Sequence, residues 1–173
     1  PATLGGVEWG GGALDPTTNT YVVNSNVVPQ IYTLIPRADA DKKYGNALRD
    51  KDGYAAQQGS AYGFKLENFL NMWGMPCWAP PYGNLSSYDM NTGKLLWKKP
   101  FGAVQKWGFY MPDSWGSITI GAPAITKSGL IFIGASMDSL VRAIDMKTGN
   151  VLWKQIVDAP AVAQPAIYTY KGK

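Results

Sequence analysis

The sequence predicts an all-β fold assembled from repeated four-stranded antiparallel units, and three observations carry that prediction. First, "DMNTGKLLW" (89–97) is rewritten in register as "DMKTGNVLW" (145–153), at an offset of 56. Second, "GGALDPTTNTYVVN" (11–24) is echoed by "GAPAITKSGLIFIG" (121–134), at an offset of 110. Third, the 173 residues include 7 Trp, 10 Tyr and 20 Gly and no His, a mix that suits short strands, tight turns and aromatic packing. Internal repeats at such spacing decide architecture before any local reading. The two offsets differ by 54 (110 − 56), so an insertion splits the first unit between its second and third strands.

Each element follows from local chemistry. "LSSYD" (85–89) and "LVRAID" (140–145) alternate apolar and polar residues, which is strand periodicity. The Asp-x-x-Thr-Gly that follows makes a tight connection. Its carboxylate accepts from backbone N–H groups ahead of it, and its glycine supplies a positive φ. "KLLWKK" and "NVLWKQ" then form the returning strands. The first unit comprises 11–24 and 84–99, interrupted by an insertion over 25–83; the second spans 121–155; a third begins at 163–173 and is partial. Four-stranded units at this period are the blades of a β-propeller. Trp97 and Trp153, closing the two motif copies, are expected to pack between neighbouring blades.

The insertion breaks the pattern. Residues 37–60 are polar, charged and Gly-containing, and read as an exposed loop. Leu66, Phe69, Leu70 and Trp73 fall at i, i+3, i+4 and i+7, which predicts a short helix near 65–73 ended by Gly74. "MPCWAPPYG" (75–83) is Pro-rich and should be extended, with Cys77 as a small buried apolar residue.

Bulk properties exclude several functions. The net charge of +4 is scattered, with no basic stripe of the kind that binds nucleic acid. One Cys and no His leave no internal disulfide and no metal-ligating cluster. No apolar run approaches the length of about 18 residues that would span a bilayer. The first residues carry neither a basic nor an apolar leader segment, and both ends read as those of a piece of a longer protein.

The repeat has the form A-x-D-x-x-T-G-x-x-x-W, matched by Ala143, Asp145, Thr148, Gly149 and Trp153. The earlier copy matches at Asp89, Thr92, Gly93 and Trp97, with Ser87 in the first position. This resembles the tryptophan-docking motif of the quinoprotein dehydrogenases. "GGVEWGGGALDP", "LIPR", "YGFKLENFLNMWGMPCWAPPYG" and "LLWKKPFG" narrow the resemblance to the C-terminal part of the membrane-bound glucose dehydrogenases that use pyrroloquinoline quinone (PQQ), with the quinate and shikimate dehydrogenases in the same group. The resemblance implies an eight-bladed propeller on the periplasmic face of the bacterial inner membrane, anchored by an N-terminal region absent here. It implies PQQ with a divalent cation (Ca or Mg), a sugar or polyol substrate, and ubiquinone as electron acceptor.

The resemblance also places the general base and the cofactor lysine in upstream blades. No catalytic residue and no metal ligand is therefore assigned here, and the chain alone is expected to be inactive. It carries one cofactor contact onto Asn24, at the end of "YVVN", and sets Trp9 of "EWGG" near the same pocket. The competing role for Asn24 or Asn26 is turn capping. Ile120-Gly121-Ala122 stands where the alcohol-oxidising branch has Trp-Gly-Gly, which argues against that branch. A non-catalytic periplasmic propeller scaffold and a carbohydrate-binding propeller are the alternative readings. The insertion, "EWGG" and Asn24 favour the enzyme over the scaffold.

Overall fold

A computed structural model describes residues 3–45, 47–50, 52–106 and 108–171. In chain order its elements are β1 (Gly12–Asp15), β2 (Thr20–Asn26), β3 (Gln30–Pro36), α1 (Arg37–Tyr44), β4 (Tyr54–Ala55), β5 (Tyr62–Asn68), β6 (Gly83–Asp89), β7 (Lys94–Pro100), β8 (Gln105–Lys106), β9 (Phe109–Tyr110), β10 (Ala124–Ile125), β11 (Leu130–Ile133), β12 (Leu140–Asp145) and β13 (Val151–Ile156). The protein is all-β, with antiparallel sheets and little helix. It divides into two compact units, one of Pro29–Trp78 with Thr3, the other of Leu4–Val28 and Ala79 onward.

The larger unit holds two four-stranded sheets, ordered β1-β2-β6-β7 and β10-β11-β12-β13. The first is assembled across a gap in sequence. β2 pairs with β6 from Thr20↔Asp89 to Asn26↔Gly83, so the chain leaves the sheet after Asn26 and rejoins it at Gly83. Both sheets slip register at the same motif position, between Ser87 and Tyr88 and between Ala143 and Ile144. The slip sets Trp97 opposite Ser87 and Trp153 opposite Ala143, where small residues leave room for an indole.

The turns obey the chemistry read from the sequence. Asn91 N–H and the Thr92 hydroxyl donate to Asp89 at 2.8 Å each. Asp145 accepts from the Thr148 backbone at 3.1 Å and from the Thr148 hydroxyl. Asp15 forms a third such turn, accepting from Thr17 N–H at 3.0 Å and the Thr18 hydroxyl at 2.6 Å. The threonine hydroxyls, before the backbone donors, hold all three carboxyls below the ordinary carboxylate value. Gly93 and Gly149 both sit at φ +69°.

Val22, Leu85 and Phe101 of the first sheet and its exit meet Ile131, Ile133, Ile144 and Met146 of the second in one buried cluster, with Trp97 packed against it. Trp97 crosses to the second sheet: its Nε1 donates to the Met146 carbonyl at 2.9 Å. Its ring covers Gly149 so closely that a Cβ there would lie 2.8 Å from Cε3. Trp153 does not follow suit. It is 49% exposed, because β13 is an outer strand whose six residues are all open to solvent. Residues 161–171 carry no strand. Their first part runs along the second sheet, with Ala135 N–H donating to Ala161 O at 2.7 Å and Gln164 Nε2 to Pro123 O at 3.0 Å. Positions 172 and 173 of the expected third unit lie outside the described residues.

The smaller unit corrects the reading of the insertion. It is a three-stranded antiparallel sheet, β3-β5-β4, with α1. The helix falls at 37–44, inside the expected loop, and the expected helix near 65–73 is replaced by β5 and a turn. β5 matches β3 residue for residue from Pro36↔Tyr62 to Gln30↔Asn68, so its backbone groups are committed to a ladder that a helix of two turns could not equal. The apolar i, i+3, i+4, i+7 set is no buried face: Phe69, Leu70 and Trp73 are 43%, 44% and 66% exposed. Asn71 Oδ1 accepts from Trp73 and Met75 N–H at 3.0 Å each and turns the chain there. The polar 37–60 stretch is ordered because Arg37 Nη2 ties the start of α1 to Ala56 O at 2.6 Å and Tyr44 stacks on Tyr54 at 3.8 Å. Asp39 in the first turn and Lys42 and Lys43 in the last complement the helix dipole. Cys77 is exposed, not buried. Asn46 and Lys51 of the insertion lie outside the described residues.

Candidate cofactor-facing site

Three segments of the larger unit converge around Asn24: the turn at 8–11, the end of β2, and the approach to the second sheet at 119–122. Glycine permits the first approach. A Cβ on Gly10 would lie 2.8 Å from Ala122 N and 2.9 Å from Ile120 O, so only a bare Cα lets this turn lie against the second sheet's entry. The turn closes with Gly11 N–H donating to Glu8 O at 2.9 Å. It presents Trp9 with 78% of its surface open.

Asn24 and Asn26 alternate along β2 and so point to one face. Neither caps a turn. Asn26 reads the backbone of Thr119 in both directions: its Oδ1 accepts from Thr119 N–H at 2.8 Å, and its Nδ2 donates to Thr119 O at 2.8 Å. The Thr119 hydroxyl donates to Asn26 Oδ1 at 3.1 Å, and Asn26 Nδ2 also reaches Glu8 Oε1 at 3.2 Å. Asn24 Nδ2 donates to Thr119 Oγ1 at 2.9 Å. Asn24 is 1% exposed, yet its Oδ1 accepts no hydrogen bond. A buried amide oxygen left without a partner costs about 1–3 kcal/mol. That makes it the polar atom here most in need of an explanation. Asn84 Nδ2 and Ser87 Oγ, both on neighbouring β6, are buried without partners as well.

Of the two residues singled out from sequence, Asn24 is thus buried in a polar cluster and Trp9 is an open indole on the adjoining turn. Sequence reasoning missed Thr119 and Glu8. The Asn-x-Asn alternation at 24–26, which sets both side chains on one face of β2, is the sequence signal that could have found the cluster. No group of three or more His, Cys, Asp or Glu stands close enough to hold a metal ion among the described residues. Among those residues, no helix is long and apolar enough to cross a membrane.

Comparison with known proteins decides the family. The model described as PQQ, glucose/ethanol/alcohol dehydrogenase, beta-propeller domain, matches residues 1–173. The chain belongs to this family. It is 34% identical over 97% of its length to a probable quinate dehydrogenase (quinone) from Xanthomonas campestris pv. juglandis, covering 22% of that protein. It is 33% identical over its whole length to the quinoprotein glucose dehydrogenase of Escherichia coli strain K12, covering 23% of it. It is 33% identical over 99% of its length to the glycerol dehydrogenase large subunit of Gluconobacter thailandicus, covering 25% of it. The chain therefore spans about a quarter of the length of these curated relatives. A solved quinohemoprotein alcohol dehydrogenase from Pseudomonas putida HK5 shares the fold over 99% of the chain and 22% of that structure, at TM-score 0.63 and 19% identity.

Proposed function

We propose that this chain is part of a quinoprotein dehydrogenase that oxidises glucose or a related sugar or cyclic polyol, such as quinate or shikimate. In this reading PQQ and a divalent cation, Ca or Mg, form the redox centre of an eight-bladed propeller. Ubiquinone takes the electrons at the periplasmic face of the inner membrane, to which an N-terminal region anchors the protein. The observation that carries the reading is the match of the whole chain to a quinoprotein glucose dehydrogenase and of 97% of it to a probable quinate dehydrogenase (quinone).

The residues present fit a polar planar cofactor. Asn24 Oδ1 is a buried acceptor without a partner, and Trp9 is an open indole face on the adjoining turn. When bound, the quinone supplies the two-electron acceptor for alcohol oxidation. Asn24 would fix one polar edge of it, and Trp9 would cover apolar surface and exclude water. The proton-accepting base and the metal ligands belong, in this proposal, to parts of the protein beyond this chain. A small-ligand site encloses most of its ligand's surface, so this chain alone should neither hold PQQ tightly nor turn over sugar.

The test is reconstitution of the full-length apoprotein with PQQ and calcium or magnesium, followed by dye reduction with glucose, quinate, shikimate and glycerol. Turnover with at least one, and none by the 173-residue chain under the same conditions, is expected. No turnover with any of them, or robust turnover by the chain alone, would overturn the proposal.

A further inference from the structure

The stretch "FLNMWGMPCW" (69–78) carries no charged residue. In the smaller unit its first nine residues leave the end of β5 as a narrow hairpin. Leu70 bridges Pro76, Cys77 N–H donates to Phe69 O at 3.1 Å, and Asn71 N–H donates to Met75 O at 2.8 Å. Asn71 opens the turn and Gly74 closes it, with Gly74 N–H donating to Asn71 O at 2.9 Å and Gly74 at φ +70°. Met72 and Trp73 therefore hold the two central positions of the turn. Turn tips ordinarily carry Asn, Asp, Gly, Pro or Ser. Here they carry two large apolar side chains, 86% and 66% exposed, with Phe69 and Leu70 behind them at 43% and 44%. The turn itself needs only Asn71 and Gly74, so the Met-Trp pair answers to something outside the hairpin. Exposed apolar surface of this kind marks a protein or a membrane contact.

Two features favour lipid. First, the hairpin satisfies its own backbone. Four of the five N–H groups at the tip, those of Asn71, Trp73, Gly74 and Met75, donate within the hairpin, two of them to Asn71 Oδ1 at 3.0 Å. A protein partner can supply backbone hydrogen bonds of its own, whereas lipid chains supply none, so a segment that leaves water for lipid must close its bonds on itself. Second, with no Lys, Arg, Asp or Glu in 69–78, no charge has to leave water. An indole, apolar over its face with one N–H at its edge, suits the membrane–water boundary. We propose that the hairpin Phe69–Cys77 is a lipid-contacting finger that seats Met72 and Trp73 in the interfacial layer of a bilayer, neutral lipid sufficing. This contact is made by the chain's own residues, in addition to the N-terminal anchor of the proposed function, and does not depend on the cofactor site.

The inference is tested in the full-length protein in a Cys77→Ser background. Met72→Cys or Trp73→Cys is labelled with the environment-sensitive fluorophore nitrobenzoxadiazole. Lys42→Cys, at an exposed position on α1, is the control, and the unsubstituted background gives the blank. Each protein is reconstituted with phosphatidylcholine vesicles, with and without doxyl-labelled lipid, and read with and without iodide in the water. Flotation shows which protein is vesicle-bound, and melting temperatures check folding. The two tip variants are read independently, so one suffices if the other does not accumulate. At positions 72 and 73 emission should shift to the blue on vesicles. The lipid quencher should reduce it several-fold more than at position 42, and iodide quenching should fall several-fold, with no such change at position 42. Adding phosphatidylglycerol should change none of this, because the finger is uncharged.

Tip labels that stay open to iodide on floating protein overturn the finger and leave the anchor standing. Labels shielded from iodide and from the lipid quencher alike seat the tip against protein, and overturn the proposal in favour of a protein partner. Protection that requires phosphatidylglycerol and vanishes at high salt is adsorption through lysines, and overturns it as well. Protein that does not float with vesicles refutes the finger and the proposed anchor together.

Discussion

Gly93 and Gly149 form a matched pair whose difference measures the contact between the two sheets. Both sit at φ +69°, so alanine at either strains the backbone alike, by about 1–2 kcal/mol. Their surroundings differ. A Cβ on Gly93 meets nothing within 4 Å, whereas one on Gly149 lies 2.8, 2.9 and 3.0 Å from Cε3, Cδ2 and Cζ3 of Trp97. For ordinary contact the nearest ring atom must retreat from 2.8 Å to at least 3.4 Å. The ring is held on its far side by the sheet-to-sheet cluster and by its 2.9 Å bond to Met146 O. Overpacking of this kind costs about 1–3 kcal/mol, and the indole bond at risk is worth about 1 kcal/mol. Gly149→Ala should therefore destabilise by about 2–5 kcal/mol and Gly93→Ala by about 1–2 kcal/mol. Urea unfolding followed by far-ultraviolet circular dichroism reads both without depending on tryptophan emission. In a Trp97→Ala background the excess should vanish. Equal midpoint shifts for the two glycine variants with Trp97 present would refute the account of the sheet contact.

Three further outcomes follow from the same structure. Trp153→Ala should cost less than about 1 kcal/mol, the range of surface changes, while Trp97→Ala should cost about 3 kcal/mol; denaturation midpoints of the two variants decide, and equal losses would mean Trp153 is as well packed as Trp97. Asp138 and Arg142 are 3% and 7% exposed and paired, with Asp138 Oδ2 also accepting from Ala103 N–H at 2.9 Å. Asp138→Ala or Arg142→Ala should each destabilise by about 3–5 kcal/mol by stranding a buried charge, and the double variant by less than the sum; additive losses would show that the two do not act as a pair. Asp15, Asp89 and Asp145 have folded-state values below the ordinary one of about 3.9, so their stabilisation is complete above that pH and is lost as pH falls through the lower folded values. Thr18→Val, Thr92→Val and Thr148→Val together should shrink the loss of stability between pH 7 and pH 3, and an unchanged pH dependence would count against the threonine donors.

The sheets were legible because their information is local and written twice. Strand alternation, the Asp-Thr-Gly turn and the closing Trp recur at fixed spacing, and each has a short-range physical cause. Even the split of the first sheet could be located, since the two offsets disagreed by the length of the excursion. The smaller unit was not legible, because no second copy of it exists and its pattern was ambiguous. Leu66, Phe69, Leu70 and Trp73 fit a helix on paper, but β3 offered β5 a seven-residue partner that lies 26 to 38 residues away along the chain. Arg37 ordered a polar stretch by reaching carbonyls about 20 residues on, at Ala56 and Gln57. Long-range pairing overrode local preference in both cases.

The candidate site shows the same boundary more sharply. Asn24 and Asn26 could be paired on one face from their spacing alone, since strand side chains alternate with period two. What each does was invisible, because the meaning of an asparagine lies in which end of its amide is committed. That commitment comes from Thr119, 93 residues from Asn26 and 95 from Asn24, in a stretch with no motif of its own. Thr119 meets both: its backbone N–H and C=O fix the Asn26 amide, and its hydroxyl oxygen accepts from Asn24 Nδ2 at 2.9 Å. As it stands, Asn24 has Nδ2 committed to the Thr119 hydroxyl oxygen and Oδ1 unpaired. A buried polar atom that is costly when unpaired favours, by about 1–3 kcal/mol, whatever state brings it a partner, and on the proposed reading of Asn24 that state is the one with ligand bound.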